Sequence, residues 1–435
     1  MSLKAKAPII VAFIVGLVVG VGIGYGVSLA MAPKPGVPTV KIGVVLPFTG
    51  PLAETAKDLK RGIEFAVDEI NAAGGIKSLG GAKIEILWGD SEADPSVGYA
   101  EAIRLIGEGV VAVVGAYQSS VTKTVSEACE RYKVPCINPD STSPLLTMRG
   151  FEWFFRVTAH DDPFAKQHFE FLNWLKETKG VEISTFATIC EDTEWGMGCR
   201  DVWQKYGAEF GYTLVEDITY HRGAPSLDSE VGRLKAANPD VVFIAAYVTD
   251  AILFQKTIYK LGFKPKAIIA MDAGYIVPSY VEEVKEKGYW VFSREVFNWD
   301  LFEVVPALKA KNDAYKAKYG VDFNGNSARD YVAIHVLALA LEEAGKKVKP
   351  WEDLEGFRRA LRDALAAIDI GPDDWAKLDW AIMPWDGVKF GATTEGEKGQ
   401  NVRAKGIIVQ MFDDGKYYTV WPREIATKEP VFPMP

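Results

Sequence analysis

The stretch KIGVVLPFTGPLAETAKDLKRGIEFAVDEINAAGGI, residues 41–76, decides the fold of this chain. It begins within the apolar run Val40–Leu46, which is rich in β-branched residues and predicts a buried strand. The apolar residues that follow recur at helical spacing and form one stripe: Leu59, Ile63, Ala66, Val67 and Ile70. Gly74-Gly75 is a typical helix stop. A strand that leads directly into an amphipathic helix is the first unit of an α/β fold.

The alternation of strand and helix continues beyond this unit. Three further apolar runs predict the strands of a first series: Lys83–Trp88, Val110–Gly115 and Val134–Asn138. After a break near residues 158–163, four runs predict a second series: Ile183–Cys190, Thr213–Ile218, Asp240–Ala246 and Ala267–Met271. Near-continuous apolar strands separated by helices are typical of parallel sheets that are covered on both faces. We therefore predict two doubly wound parallel-sheet lobes.

The C-terminal part of the chain contains both kinds of element. The helical segments Pro306–Tyr319 and Ala328–Ala344 precede strand-like segments at Gly406–Phe412 and Tyr417–Trp421. Because the chain returns to strands, each lobe is predicted to be discontinuous in sequence. We assign residues 39–160 plus 293–400 to lobe 1, residues 161–292 plus 401–425 to lobe 2, and residues 426–435 to a tail. Three crossing segments near 158–163, 290–294 and 398–403 are expected to join the lobes.

Residues 1–38 differ in composition from the rest of the chain. Ile9–Ala32 contains no charged residue and is long enough to cross a bilayer as one transmembrane helix. Lys4 and Lys6 precede it, which favours an orientation with the lobes outside the cell. We predict a single N-terminal membrane anchor followed by a proline-rich spacer. Ala30-Met31-Ala32 also resembles a signal-peptidase site, so a secreted or periplasmic product is the alternative.

Composition and motifs argue against several classes of function. The net charge is -9 and no basic run is present, so nucleic acid is not expected as a partner. The nucleotide-binding, hydrolase and zinc-protease signatures are absent from the sequence, and the four histidines lack ligand spacing. No catalytic residue, cofactor or metal is predicted. The pairs Cys129/Cys136 and Cys190/Cys199 are close enough to bridge, and the sequence leaves disulfides and buried thiols as alternatives.

Several motifs, taken in their order along the chain, resemble those of a known family. After residues 41–76 come VVAVVGAYQSSVT (110–122), VPCINPDSTSPLLT (134–147), FFRVTAHDDP (154–163), EDTEWG (191–196) and PDVVFIAAYVTDA (239–251). PWDGVKFG (384–391) and GIIVQMFDDGKYYTVWP (406–422) continue the series. This order resembles the branched-chain amino acid (Leu/Ile/Val) class of periplasmic solute-binding proteins, which serve ABC importers and have a type I two-lobe fold. The resemblance spans residues 39–425 and implies a small amino-acid ligand and a membrane permease as partners.

The resemblance also implies a set of ligand-binding residues at the ends of predicted strands. They are Ser119, Ser120, Asp140, Ser141, Thr142, Trp195, Tyr247 and Asp272. Open α/β sheets bind ligands beyond the carboxyl ends of their strands, where helix N-termini favour an anion. Ser119 matches the family's carboxylate-binding serine, and Ser120 lies one position away. Thr142 matches a ligand-binding threonine, and residue 140 matches a position whose backbone carbonyl meets the ammonium.

The second lobe is expected to supply the remaining contacts. Tyr247 matches a tyrosine that covers the ligand, and Trp195 matches an aromatic residue that closes over it. With one insertion allowed, Asp272 falls where the family places an acidic partner of the α-ammonium. For each position a structural role as helix cap, turn former or packing aromatic is the alternative. We expect the Asp272 carboxylate to lie in a cleft that is open to water without ligand.

The sequence therefore predicts the extracellular substrate-binding component of an ABC-type amino-acid importer, which captures a zwitterionic solute by hinge closure. Thr55 stands where relatives often have an aromatic residue, so the pocket is expected to be larger or more polar than a leucine site. The alternatives are a binding protein for an amide or an aromatic or aliphatic carboxylate, and a ligand-sensing ectodomain of the same fold. An enzyme is not expected.

Overall fold

Two mainly parallel β-sheets organise the computed structural model, which describes residues 38–391 and 397–435. The first sheet has five parallel strands in the order β2-β1-β3-β4-β5. Its strands are β1 (Thr39–Leu46), β2 (Lys83–Asp90), β3 (Ala112–Gly115), β4 (Cys136–Asn138) and β5 (Phe154–Arg156). The connecting helices are α1 (Ala53–Ala72), α2 (Pro95–Gly107), α3 (Ser119–Tyr132) and α4 (Leu145–Met148).

The helices of this first series form for local reasons that the sequence shows. Asp94 caps α2, because its side chain accepts hydrogen bonds from the backbone N–H groups of Ser96 and Val97. The predicted stripe of α1 is buried at Leu59 and Ile63. Burial of this stripe on the sheet is what makes the amphipathic helix stable in the folded chain.

The second sheet has seven strands in the order β14-β13-β10-β9-β8-β6-β7. Its first five strands in the chain are β6 (Thr185–Glu191), β7 (Thr213–Tyr220), β8 (Val241–Ala245), β9 (Ala267–Ala270) and β10 (Phe292–Glu295). The helices between and before them are α5 (Asp161–Lys179), α6 (Glu194–Glu209), α7 (Asp228–Ala237), α8 (Val248–Leu261) and α9 (Pro278–Val284). These five strands are parallel to one another.

The remainder of the described chain contains further helices, a separate short pair of strands and the last two strands of the second sheet. Its helices are α10 (Leu308–Tyr319), α11 (Gly325–Gly345), α12 (Leu354–Ala366) and α13 (Pro372–Trp375). Its strands are the short pair β11 (Asp369–Ile370) and β12 (Val388–Lys389), then β13 (Ile407–Met411) and β14 (Tyr417–Trp421). Helix α11 packs against α1, and the hydroxyl of Tyr331 donates to Glu69 Oε2 at 2.6 Å. Strands β13 and β14 extend the second sheet as antiparallel strands.

Every predicted strand is observed, and four strands of the described residues were not predicted: β5, β10, β11 and β12. Strand β10 overlaps the crossing predicted near residues 290–294, and β5 ends before the crossing predicted near residues 158–163. All four cysteines are buried free thiols, so the structure contains neither of the two disulfides that the sequence left open. The predicted anchor at residues 9–32 lies outside the described residues. Within residues 38–391 and 397–435, no helix is both long and apolar enough to span a membrane.

Candidate ligand-binding site

A small cavity lies where loops at the carboxyl ends of strands from both sheets meet. About 270 Å³ of space that protein atoms do not occupy lies between its lining residues, and part of this space is open to solvent. Its lining residues are Tyr117, Ser119, Asp140, Ser141, Thr142, Trp195, Tyr247, Met271, Asp272, Ala273, Arg294 and Arg329.

The loop after β3 contributes Tyr117 and Ser119. Ser119 is the first residue of α3, where backbone N–H groups without helical partners favour an anion. Its hydroxyl oxygen accepts a hydrogen bond from the backbone N–H of Ser143 at 3.3 Å, which ties the loops after β3 and β4 together. Ser120 does not line the cavity. The start of α3 therefore presents one of the two predicted serines.

The loop after β4 contributes Asp140, Ser141 and Thr142. The hydroxyl of Ser141 is engaged within the protein: it lies 2.9 Å from the carbonyl oxygen of Ala116 and 2.5 Å from the hydroxyl of Thr122. This network fixes the loop geometry beside the cavity rather than leaving the hydroxyl free. Asp140 accepts a hydrogen bond from Arg329 Nε at 2.9 Å.

Aromatic rings from both sheets cover one side of the cavity. The ring centroid of Tyr247 lies 5.0 Å from that of Trp195 and 5.9 Å from that of Tyr117. Tyr247 directly precedes α8, and Trp195 lies in the first turn of α6. Tyr117 belongs to the first sheet, so the contact between the two tyrosines joins the sheets. Such faces suit an apolar side chain or a cation.

Glu191, at the end of β6, holds both aromatic residues of the second sheet in place. Its Oε2 accepts from the backbone N–H of Tyr247 at 3.2 Å, and its Oε1 accepts from the hydroxyl of Thr193 at 2.7 Å. Thr193 in turn caps α6 at the Gly196 N–H. A Cβ at Gly196 would lie 2.1 Å from the carbonyl oxygen of Glu191, so only glycine fits there. Burial raises the pKa of Glu191 to about 8, which keeps it largely protonated at neutral pH.

The loop after β9 brings Asp272 next to Tyr247. Asp272 has a φ of 66°, which is uncommon for a residue other than glycine. A Cβ at Gly274 would lie 2.5 Å from the carbonyl carbon of Tyr247, so glycine is required where the two loops pack. The backbone strain at Asp272 is retained because this packing fixes the loop.

Two arginines hold the Asp272 carboxylate. Its Oδ2 accepts from Arg294 Nη1 at 2.5 Å and from Arg329 Nη1 at 2.7 Å. Within the described part of the chain, its Oδ1 is buried and has no hydrogen-bond partner. The expectation of a carboxylate open to water is wrong, because Asp272 is 4% exposed. The loop geometry and the two guanidinium groups enclose it.

Further acidic groups surround this ion-pair cluster. Burial raises the pKa of Asp140 to about 6, although the Arg329 charge opposes that rise. Burial, together with the charge of Asp140, raises the pKa of Asp330 well above its ordinary value. Burial also raises the pKa of Glu295 to about 8, with the Asp272 charge as the next cause. At neutral pH, the cavity therefore has two arginine charges opposed by Asp272 and a mostly ionised Asp140.

The structure brings seven of the eight predicted residues to this one cavity and leaves out Ser120. Five lining residues were not predicted from the sequence: Tyr117, Met271, Ala273, Arg294 and Arg329. Arg294 lies in the unpredicted strand β10, and Arg329 lies near the start of α11. A signal for Arg329 existed, because an arginine next to an aspartate within the apolar helix Ala328–Ala344 needs a buried partner.

Comparison with known proteins supports the predicted resemblance. A family model described as periplasmic binding protein matches residues 39–400. Leu/Ile/Val-binding protein homolog 7 of Brucella suis biovar 1 (strain 1330) is 31% identical over 415 residues, covering 92% of this chain and 96% of that protein. Leu/Ile/Val-binding protein homolog 8 of Brucella melitensis biotype 1 is 31% identical over 401 residues, covering 89% of this chain and 91% of that protein.

Solved structures show the same fold at lower sequence identity. A leucine binding protein, LivK, from Thermotoga maritima has a TM-score of 0.72 at 21% identity, covering 88% of this chain and 97% of that one. The branched-chain amino acid transporter substrate binding protein LivJ from Streptococcus pneumoniae, in complex with isoleucine, has a TM-score of 0.72 at 24% identity, covering 91% and 100%. These likenesses confirm the predicted type I periplasmic binding fold. The chain belongs to the periplasmic binding protein family and is a binding protein, not an enzyme.

Proposed function

We propose that this protein is the substrate-binding component of an ABC-type amino-acid importer and captures a small zwitterionic solute such as a branched-chain amino acid. One observation carries the proposal. Asp272, whose buried Oδ1 has no hydrogen-bond partner among the described residues, lines the same cavity as Ser119 at the N-terminus of α3. A zwitterion needs an anionic partner for its ammonium and hydrogen-bond donors for its carboxylate, and these two groups supply them. Relatives named for leucine, isoleucine and valine binding support this ligand class.

The proposed mechanism is closure of two lobes around the solute. The lobes are residues 39–160 plus 293–400 and residues 161–292 plus 401–425, except that residues 293–295 complete β10 of the second sheet and belong with lobe 2. Because Ser119 follows a strand of the first sheet and Asp272 follows a strand of the second, a bound amino acid contacts both. Only a ligand that binds the closed form more tightly shifts the equilibrium toward closure. The closed form is what a permease in the membrane would receive.

We propose an extracellular location, with residues 9–32 as a retained anchor. Sequencing the N-terminus of the mature protein tests this part separately. A mature chain that begins at Pro33 would replace the anchor with cleavage after Ala32 and a periplasmic or secreted product.

Native mass spectrometry of the purified protein tests the ligand class. Binding proteins with buried sites often retain their solute, and the mass difference identifies it. A retained or added leucine, isoleucine or valine supports the proposal, and titration calorimetry with each gives its affinity. Absence of binding to all free amino acids would contradict it.

A simple carboxylate is the second candidate, because Arg294 and Arg329 line the cavity. Arginine is a preferred partner of carboxylates. Both arginines already contact Asp272, however, which leaves less of their charge for an anion. Tighter binding of 4-methylpentanoate than of leucine, which differs from it by the ammonium group, would favour this second candidate.

A further inference from the structure

Arg329 is buried and engages acceptors from three places in the chain. Its guanidinium is 2% exposed. Nε donates to Asp140 Oδ1 at 2.9 Å, Nη1 donates to Asp272 Oδ2 at 2.7 Å, and Nη2 donates to Asn326 Oδ1 at 2.6 Å. All three nitrogens of the planar fork are therefore used, a geometry that lysine cannot reproduce.

These contacts cross from one sheet to the other. Asp140 follows β4 of the first sheet, and α11, which carries Arg329, packs against α1 of the same sheet. Asp272 follows β9 of the second sheet. The Arg329–Asp272 ion pair therefore bridges the sheets through protein groups alone. A second pair, Lys123–Glu194, joins α3 to α6 at 3.1 Å, but the Lys123 side chain is 45% exposed.

The two bridging ion pairs differ in burial, and burial determines how much the loss of each pair costs. Exposed ion pairs are screened by water and salt and contribute little. A buried pair whose partner is removed leaves an uncompensated charge, which is strongly unfavourable. The contact between the two sheets therefore depends much more on Arg329 than on Lys123.

Arg329 also limits how Asp272 meets a ligand. Together with Arg294 it occupies Oδ2, and the Oδ1 of this cavity-lining carboxylate is left without a hydrogen-bond partner among the described residues. We propose that Arg329 is a positioning residue that ties the two sheets across the cavity before ligand arrives and presents Asp272 Oδ1 to the ligand ammonium. The second role rests on the proposed function, and the first does not need it.

The expected effect on affinity follows from population arithmetic. The apparent Kd equals the intrinsic Kd divided by the fraction of molecules in the binding-competent state. Loss of the tie lowers the closed fraction, and loss of the fixed Asp272 orientation weakens the ammonium contact. Arg329→Met is therefore expected to raise the Kd for isoleucine by on the order of tenfold to a hundredfold.

Small-angle X-ray scattering of purified protein, dialysed free of solute, measures the first role directly. Arg329→Met is expected to have a larger radius of gyration than wild type without ligand. Arg358→Met is the control for loss of a buried arginine, since Arg358 donates to the carbonyl of Val110 and does not bridge the sheets. Lys123→Met is the control for loss of an exposed bridge. Both controls are expected to keep the wild-type radius, even where the melting temperature falls.

The outcomes separate this proposal from the proposed function. A folded Arg329→Met protein with the wild-type radius, whatever its melting temperature, overturns the tie. If Arg329→Met does not fold, Arg329→Gln decides, because it removes the charge that pairs with Asp272 and keeps a polar side chain. An expanded Arg329→Gln protein supports the tie, and a wild-type radius overturns it. If wild type binds no amino acid, the proposed function fails while the ligand-free radii still decide the tie. If wild type binds isoleucine and an expanded Arg329→Met binds it equally well, the role in presenting Asp272 is wrong.

Discussion

Asp272→Asn is the substitution that separates the proposed ligand role of this carboxylate from its structural role. The change removes the negative charge shared by Arg294 and Arg329 and keeps the side-chain shape. Removal of one partner of a buried ion pair costs about 3–5 kcal/mol. The lower end applies here, because the asparagine oxygen still accepts one hydrogen bond and Arg329 retains Asp140. We expect the free energy of unfolding to fall by about 3 kcal/mol.

The effect on binding has a separate origin. A hydrogen bond to a charged group contributes about 1.5–3 kcal/mol, and the ligand ammonium would lose this contact at Oδ1. The affinity for leucine or isoleucine is therefore expected to fall by about a hundredfold, which corresponds to about 2.7 kcal/mol. Binding of 4-methylpentanoate is expected to be unchanged or tighter, because this analogue has no ammonium.

Chemical denaturation and titration calorimetry measure the two effects on the same preparation. Asp240→Asn is the matched control: Asp240 pairs with Lys266 at 2.7 Å in the second sheet but precedes β8, at the end away from the cavity. This control is expected to lose stability and keep its affinity. If Asp272→Asn loses stability but binds its amino acid as tightly as wild type, Asp272 serves the fold alone and the ammonium assignment is refuted.

Three further predictions test other parts of the site. Ser119→Ala is expected to weaken amino-acid binding by about tenfold to a hundredfold, because a hydrogen bond to the ligand carboxylate is lost. Ser120→Ala is expected to keep the wild-type Kd, and equal effects of the two variants in calorimetry would contradict the assignment of Ser119 to the carboxylate. Trp195→Ala is expected to weaken binding by at least about tenfold, since truncation of a buried aromatic contact is typically costly, and an unchanged Kd in the folded variant would remove Trp195 from the site. Burial raises the pKa of Glu191 from 4.5 to about 8. Its protonated form therefore stabilises the folded protein fully below pH 4.5, and this stabilisation is lost as the pH rises toward 8. In urea unfolding between about pH 5.5 and 7.5, Glu191→Gln is expected to make the free energy of unfolding fall less steeply with pH, by up to about 1.4 kcal/mol per pH unit. If the variant has the same slope as wild type, Glu191 titrates normally.

The fold was largely predictable because its strands have strong local signals. The runs Val40–Leu46 and Asp240–Ala246 are apolar and β-branched, and the structure has β1 and β8 there. The unpredicted strands β5 and β10 are short, and each contains a buried arginine, Arg156 and Arg294. A charged residue in so short a segment hides the apolar signal. These strands form because their neighbours in the sheets supply the hydrogen bonds, which is tertiary information.

The positions of the site residues were more predictable than their partners. Ser119, Tyr247 and Asp272 lie two to four residues after the ends of strands, and the loops after parallel strands meet at one edge of each sheet. The engagement of Ser141 by the carbonyl of Ala116 depends on two loops packing together, which no single stretch of sequence shows. The same holds for Arg329, which lies 57 positions from Asp272 along the chain.

The charges of Arg294 and Arg329 alter which ligand charge the cavity around Asp272 favours. An isolated buried aspartate would favour a cation of any kind, because its negative charge would lack a partner. Here Arg294 and Arg329 already oppose the charges of Asp272 and Asp140, so a ligand with a net positive charge would face two fixed cations in the same cavity. A zwitterion adds no net charge and can use the unpartnered Oδ1 together with the start of α3. The charge balance of the cavity is therefore expected to favour amino acids with uncharged side chains over lysine, arginine or polyamines. A titration in which lysine and isoleucine compete measures this preference, and tighter binding of lysine would contradict it.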